Sequence, residues 1–235
     1  MNSSPPTNGI LNNVILRDEV YDYLRKQIIS LAFPPGYRFE LNKLEKELGI
    51  SRTPLNVALY RLEAEGLVKV RPRSGTFVMP ITADNIAENF DIRLMLEVSA
   101  APIVLAKATD HELAQLGVIH TQMNNLIDSA DYHDVIGEYI ALDQKLHIQY
   151  MSYARNKQLM RVFTRLNTHL QIVRLQQKFE RPSSNDTQEE HDAIIAALPN
   201  RDVTVLQAAI AEHVTKSKER TLAALENNQD DEQNE

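Results

Sequence analysis

The chain of 235 residues contains no cysteine. That excludes disulfides, thiolate nucleophiles and Cys-ligated zinc or iron–sulfur sites in one step. Long apolar runs are missing too: none approaches the roughly 18–20 residues that a bilayer-spanning helix needs, so no membrane partner is expected. Residues 1–9 are polar, with Pro and Ser, and do not show the basic-then-apolar order of a signal peptide. Together these absences predict a cytoplasmic protein. An excess of positive charge is also lacking. The formal net charge of −7, taken whole, argues against nucleic acid, whose phosphates attract basic surfaces.

The distribution of charge reverses that argument. Residues 12–80 hold 11 Lys and Arg against 8 Asp and Glu, whereas residues 81–235 hold 14 against 24. A mildly basic module precedes an acidic one. Hydrophobic residues at 43% and charged residues at 24% are ordinary for a chain that buries a core.

Val20, Leu24, Ile28 and Leu31 recur at helical spacing over residues 13–32. Pro34-Pro35-Gly36 breaks the pattern, since proline lacks the donor and glycine permits a tight turn. Leu41, Leu44 and Leu48 make a second short helical face, stopped at Gly49. Ser51 is a good N-cap for a third helix, and Pro54 falls in its first turn, where a missing N–H is harmless. Leu55, Leu59 and Leu62 face inward there, while Arg52, Asn56 and Tyr60 recur on a polar face with Thr53 beside them. Residues 67–71 and 76–79 read as two β-strands around a turn holding Pro72, Arg73, Ser74 and Gly75. After Pro80 the β signals stop. Helical patterns run over 82–107, 110–128, 131–154, 156–180, 186–198 and 201–225, and Thr109 with Glu112 makes a capping box. The expected fold is mainly α: an N-terminal winged helix-turn-helix with a small β-hairpin wing (12–80), then an antiparallel all-α bundle of about six helices (81–227). Residues 1–11 and 228–235 are expected to be disordered.

Three helices followed by a two-stranded ribbon is the winged helix-turn-helix order. In it the third helix enters the major groove, with its N-terminus toward phosphate. Arg52 suits guanine or phosphate, and Asn56 a base edge. Arg71, Arg73 and Gly75 lie on the hairpin, where a wing follows the DNA backbone. The bland alternative is a solvated helix face, against which element order and local charge weigh. The stretch PPGYRFELNKLEKELGISRTPLNVALYRLEAEGLVKVRPRSGTFV resembles the DNA-binding domain of the GntR family of bacterial transcriptional regulators, over about residues 14–80. The resemblance implies DNA contacts from Arg38, Ser51, Arg52, Thr53 and the wing around Gly75. The family usually has Arg-Glu-Ala after the SRTP-type turn, and that Arg contacts DNA. Here Asn56-Val57-Ala58 stands instead, so Asn56 could read adenine without supplying charge.

In the acidic module, Asp143 and His147 are four apart on one helix face, a workable ligand pair for a divalent metal. The same spacing also suits a helix-stabilising pair. His191 and His213 lie on later helical segments and could complete a bundle site, but His169 fits the bare spacing nearly as well as His213. Here too a resemblance enters. The pieces 93-RLMLEVSAAPIVLA-106, 142-LDQKLH-147, 190-EHDAIIAAL-198 and 207-QAAIAEHV-214 are similar to the FadR-type effector domain of that family. The resemblance implies a divalent metal (zinc, nickel or manganese) on Asp143, His147, His191 and His213. It also implies Arg93 facing the cavity, where Arg174 would add a second positive group. Paired cations around a metal suit a small carboxylate. The expected protein is therefore no enzyme but a homodimeric regulator of a palindromic operator, switched by a small carboxylate effector. A metal-dependent enzyme and a metal-ion sensor are the alternatives.

Overall fold

The computed structural model describes residues 8–127, 132–177 and 181–233. The chain divides into two compact units, Met1–Ile81 and Thr82–Glu235. No helix among the described residues is long and apolar enough to cross a membrane.

In the first unit, α1 (Asn8–Ile29), α2 (Leu41–Leu48) and α3 (Arg52–Ala64) surround a core of Val20, Leu24, Ile28, Leu44, Leu55, Leu59 and Leu62. α2 stops because Gly49 takes the left-handed conformation, φ 63°, and its N–H returns to the Glu45 carbonyl, a backbone state that glycine adopts without Cβ strain. Ser51 is extended at the head of α3. Arg61 fastens α3 to α1 through Asp18 at 2.5 Å, and its guanidinium sits 3.8 Å over the Tyr21 ring.

The wing has three strands, not the two expected. β1 (Arg38–Phe39), β2 (Val68–Arg71) and β3 (Gly75–Val78) form an antiparallel sheet ordered β1-β3-β2, with Arg38 opposite Phe77 and Phe39 opposite Thr76. A strand of two residues carries no period. It exists because β3 offers a free edge.

The second unit is all-helical among its described residues: α4 (Ala83–Lys107), α5 (Asp110–Ile127), α6 (Tyr132–Ser152), α7 (Lys157–Gln177), α8 (Arg181–Ala197) and α9 (Val203–Gln233). Thr82 caps α4 by accepting from the Asn85 N–H at 3.2 Å. At α5 the reciprocal box forms: the Thr109 N–H donates to Glu112 at 3.0 Å and the Glu112 N–H to Thr109 at 3.2 Å. Arg201 ties the α8–α9 turn to the α4–α5 junction by donating to the Ala108 carbonyl at 2.9 Å and to Asp110 at 2.6 Å. α4 and α9 pack against each other, tied by Gln207 donating to the Val98 carbonyl at 3.0 Å and Lys218 donating to Asp91 at 2.5 Å.

Helix boundaries differ from expectation in several places. α1 begins at Asn8, inside the segment read as a disordered leader, and α9 continues to Gln233 through the acidic tail. In both places the residues prolong an existing helix, where adding a residue gains a hydrogen bond without a new nucleus. Residues 1–7 and 234–235 of those segments lie outside the described residues. α8 likewise starts at Arg181 rather than 186, with Pro182 in its first turn, where its missing N–H costs nothing.

Candidate functional site

Two groups of side chains carry chemistry, one in each unit. In the first unit, the exposed start of α3 presents Ser51, Arg52 and Thr53, with Asn56 half-buried one turn on and Tyr60 62% exposed beyond it. Ser51 makes no side-chain cap bond to its own helix. Arg52 is held by α2: Nε and Nη2 donate to Glu45 at 2.6 and 3.0 Å, and Nη2 also to Asn42. On the wing, Arg38 and Arg71 place their guanidinium carbons 5.9 and 5.4 Å from the Phe77 ring centroid. Arg73 is exposed in the hairpin turn at φ 63°. Gly75 has φ 123°, and a Cβ there would lie 3.1 Å from Arg38 Nε. The backbone state therefore favours glycine at this corner, and a Cβ would also crowd the Arg38 guanidinium.

In the second unit, α6, α8 and α9 bring Asp143, His147, His191 and His213 together. All four are buried, and one ligand atom from each lies within 4.8 Å of the others. His147 Nε2 is 3.4 Å from His191 Nε2 and 3.2 Å from His213 Nε2. Asp143 Oδ1 is 3.4 Å from His191 Nε2 and 3.9 Å from His147 Nε2. His169 does not belong to this cluster, and the side chain of His133 lies outside the described residues.

Each imidazole is oriented from behind. His147 Nδ1 meets Glu97 Oε2 at 2.8 Å, His213 Nδ1 meets Glu190 Oε2 at 3.0 Å, and His191 Nδ1 meets Gln188 Oε1 at 3.3 Å. All three partners are acceptors, so each Nδ1 carries the proton and each Nε2 turns a lone pair inward. Asp143 Oδ1 is buried without a hydrogen-bond partner. Four acceptor atoms thus face one another with no donor between them. Such an arrangement fits a cation.

Protons do not fill that role. Burial, and then the neighbouring imidazoles, hold His191 and His213 well below the ordinary imidazole range. Burial alone would raise the carboxyl of Asp143, but Arg174, His147 and His191 outweigh it and keep the group well below the usual carboxylate range. Glu97 behaves alike: burial opposes ionisation, and Arg93 and His147 overcome it. The donor set is three imidazoles, of which burial holds those of His191 and His213 uncharged, and one carboxylate, ligand types that bind a divalent ion.

Arg93 and Glu97 are adjacent turns of α4, joined by Arg93 Nε to Glu97 Oε1 at 2.5 Å. Arg93 Nη2 is buried and has no hydrogen-bond partner. Arg174 grips Asp143 through Nη1 and donates from Nη2 to Ser217 at 2.9 Å, so its charge lies beside the cluster and orients the carboxylate. Arg220 makes a two-pronged contact with Glu190 at 2.6 and 2.8 Å. Glu97, Gln188, Glu190 and Arg220 were not singled out by sequence reasoning. For Gln188, a place three residues before His191 was the available signal. For Glu97 it was a place four residues after Arg93.

A winged helix-turn-helix is an architecture that sequence-reading DNA-binding proteins use. The gntR family of bacterial regulatory proteins matches residues 16–78, and the FCD domain matches residues 88–216. The chain belongs to the GntR family of transcriptional regulators, with an FCD domain as its C-terminal part. The Nta operon transcriptional regulator of Aminobacter aminovorans is 26% identical over 198 residues, 84% of this chain and 90% of that protein. The HTH-type transcriptional regulator YdhC of Bacillus subtilis strain 168 is 29% identical over 157 residues, 67% of this chain and 69% of that one. Among solved structures, E. coli McbR/YncC shares the fold with a TM-score of 0.71 at 21% identity, over 88% of this chain and 96% of that chain.

Proposed function

We propose that this regulator senses a small organic acid at a divalent-metal centre on Asp143, His147, His191 and His213, and that the acid sets its affinity for a palindromic operator. The observation that carries the reading is the convergence of three Nε2 lone pairs and the unpartnered Asp143 Oδ1 inside 4.8 Å. A divalent zinc, nickel or manganese ion held there would supply a Lewis-acidic centre with a position open to a carboxylate oxygen. Glu97, Gln188 and Glu190 fix the three imidazole tautomers. Arg174 fixes Asp143. Arg93, with Nη2 unpartnered in the interior, is the group that receives the second oxygen of the acid. Its charge is near enough to help hold the Asp143 carboxyl down and His213 neutral.

On the DNA side, Ser51, Arg52 and Thr53 meet phosphate or base edges from the N-terminus of α3, Asn56 reaches a base edge, and Arg38, Arg73 and Gly75 shape the wing. The Arg52–Glu45 contact is a solvated pair, easily exchanged for phosphate. The protein acts in the cytoplasm as a two-fold dimer whose symmetry mirrors that of the operator. A coupling of about 1–3 kcal/mol between acid and DNA is enough to change operator affinity some 5–150-fold.

A metal-ion sensor is the second reading, favoured by the burial of all four donors. An enzyme is disfavoured because both oxygens of Glu97 are engaged, by Arg93 and His147, which denies that carboxylate the role of general base. A thermal-shift screen of small carboxylates separates the readings. Stabilisation by an acid of the metal-loaded protein, absent after chelation, is the expected result. Equal shifts with and without metal, or turnover of the acid, would count against it. Operator binding switched by metal alone would favour the sensor.

A further inference from the structure

His120, on α5, stands beside the centre without belonging to it. Its ring centroid is 6.1 Å from that of His191, and only 5% of the residue is exposed. The ring hydrogen-bonds the Gln188 backbone, while Nε2 has no hydrogen-bond partner. The bond is therefore made by Nδ1, and the Nε2 lone pair is free. Nε2 lies 3.5 Å from Asp192 Oδ1. Two ligands on a tetrahedral ion with bonds of about 2.0–2.2 Å lie about 3.3–3.6 Å apart. Asp192 directly follows His191 on α8, yet its side chain is 65% exposed whereas that of His191 is fully buried. A solvent-facing carboxylate, a nearly buried imidazole and a wholly buried ligand thus stand in order from the surface inward.

We propose that His120 and Asp192 form a loading half-site for divalent cations. The Asp192 carboxylate captures the hydrated ion, His120 Nε2 takes one coordination position as water leaves, and the ion passes to His191 and the centre. Release follows the same route backwards. The inference rests on the reading of the quartet as a divalent-metal centre. His120 and Asp192 belong to the path and not to the final ligand set, so they govern rates without governing affinity.

The test uses the full chain, stripped with chelator, mixed with Co(II) in a stopped-flow instrument and followed by the visible ligand-field absorption. Release is then driven by excess EDTA. In Asp192→Asn and in His120→Gln, uptake and release should both slow by about tenfold and by the same factor, leaving the dissociation constant unchanged. Asp192→Asn alters an exposed side chain and keeps its shape, so it does not depend on refolding a core. Wild-type rates in both variants would overturn the half-site. Slowing confined to uptake would overturn it as well, because simple attraction by Asp192 produces that result. A weakened dissociation constant would instead make the pair a support for His191. Wild-type protein that takes up no Co(II) would overturn the centre, and the half-site with it. Wild-type uptake with unaltered variant kinetics would overturn the half-site alone.

Discussion

Arg52 in the winged unit and Arg93 in the helical unit each hold a glutamate, Glu45 at 2.6 Å and Glu97 at 2.5 Å, but their side chains are 44% and 1% exposed. The chemistry is the same and the energetics are opposite. Near the surface the attraction is screened and both groups stay hydrated, so Arg52 can leave Glu45 for another anion at little cost. In the interior neither partner can be removed without stranding the other. The winged unit keeps its charges exchangeable, as a surface that meets phosphate must. The helical unit locks its charges around a fixed set of donors, as the proposed metal centre requires.

The contrast can be broken by changing each arginine in turn. Arg93→Met leaves Glu97 buried beside His147 without its counter-ion and should destabilise the helical unit by about 3–5 kcal/mol, read as the loss of melting temperature in calorimetry. A variant as stable as the parent would mean that Glu97 is neutral or hydrated and that the centre is looser than its geometry. Arg52→Ala should leave the melting temperature unchanged, weaken operator binding about tenfold or more, and reduce its salt slope by about one unit. Unaltered affinity in a gel shift would remove the DNA role from the head of α3.

A smaller effect sharpens the same comparison through pH. His191 and His213 are held neutral by burial, below the imidazole value of about 6.5 that they regain on unfolding. Below that value the unfolded chain binds protons that the folded one refuses, so stability falls as pH drops from about 7 toward 5. Glu97 and Asp143, held down in the fold, add a loss of the same sign once pH falls below about 4.5. Residues 1–81 contain no histidine, so the loss between pH 7 and 5 belongs to the helical unit. Equal melting temperatures of chelated protein at pH 7.5 and 5.5 would contradict the burial of neutral imidazoles.

Legibility in the sequence also differs between the units. The winged helix-turn-helix rests on local signals: leucines at helical spacing, Gly49 as a stop, Ser51 as an N-cap and Pro54 in a first turn. β1 escaped because a two-residue strand is defined by its partner, not by its own pattern. In the helical unit, Asp143 and His147 were legible as an i, i+4 pair. Helical phase could not choose between His169 and His213, since it does not reveal which face turns inward. The supporting groups were hidden for a related reason. Glu97 and His147 are 50 residues apart, and Glu190 and His213 are 23 apart. Those contacts arise only when the helices pack.

The most direct test joins the two units in one titration. Operator DNA selected from random sequence is bound to metal-loaded protein, and the binding midpoint is followed by fluorescence anisotropy as the stabilising carboxylate is added. A shift within about 5–150-fold is expected in the wild type. None is expected in His147→Ala combined with His191→Ala, which retains the intact α3 and wing. A double variant that responds to the acid as the wild type does would contradict a metal-centred sensor on Asp143, His147, His191 and His213.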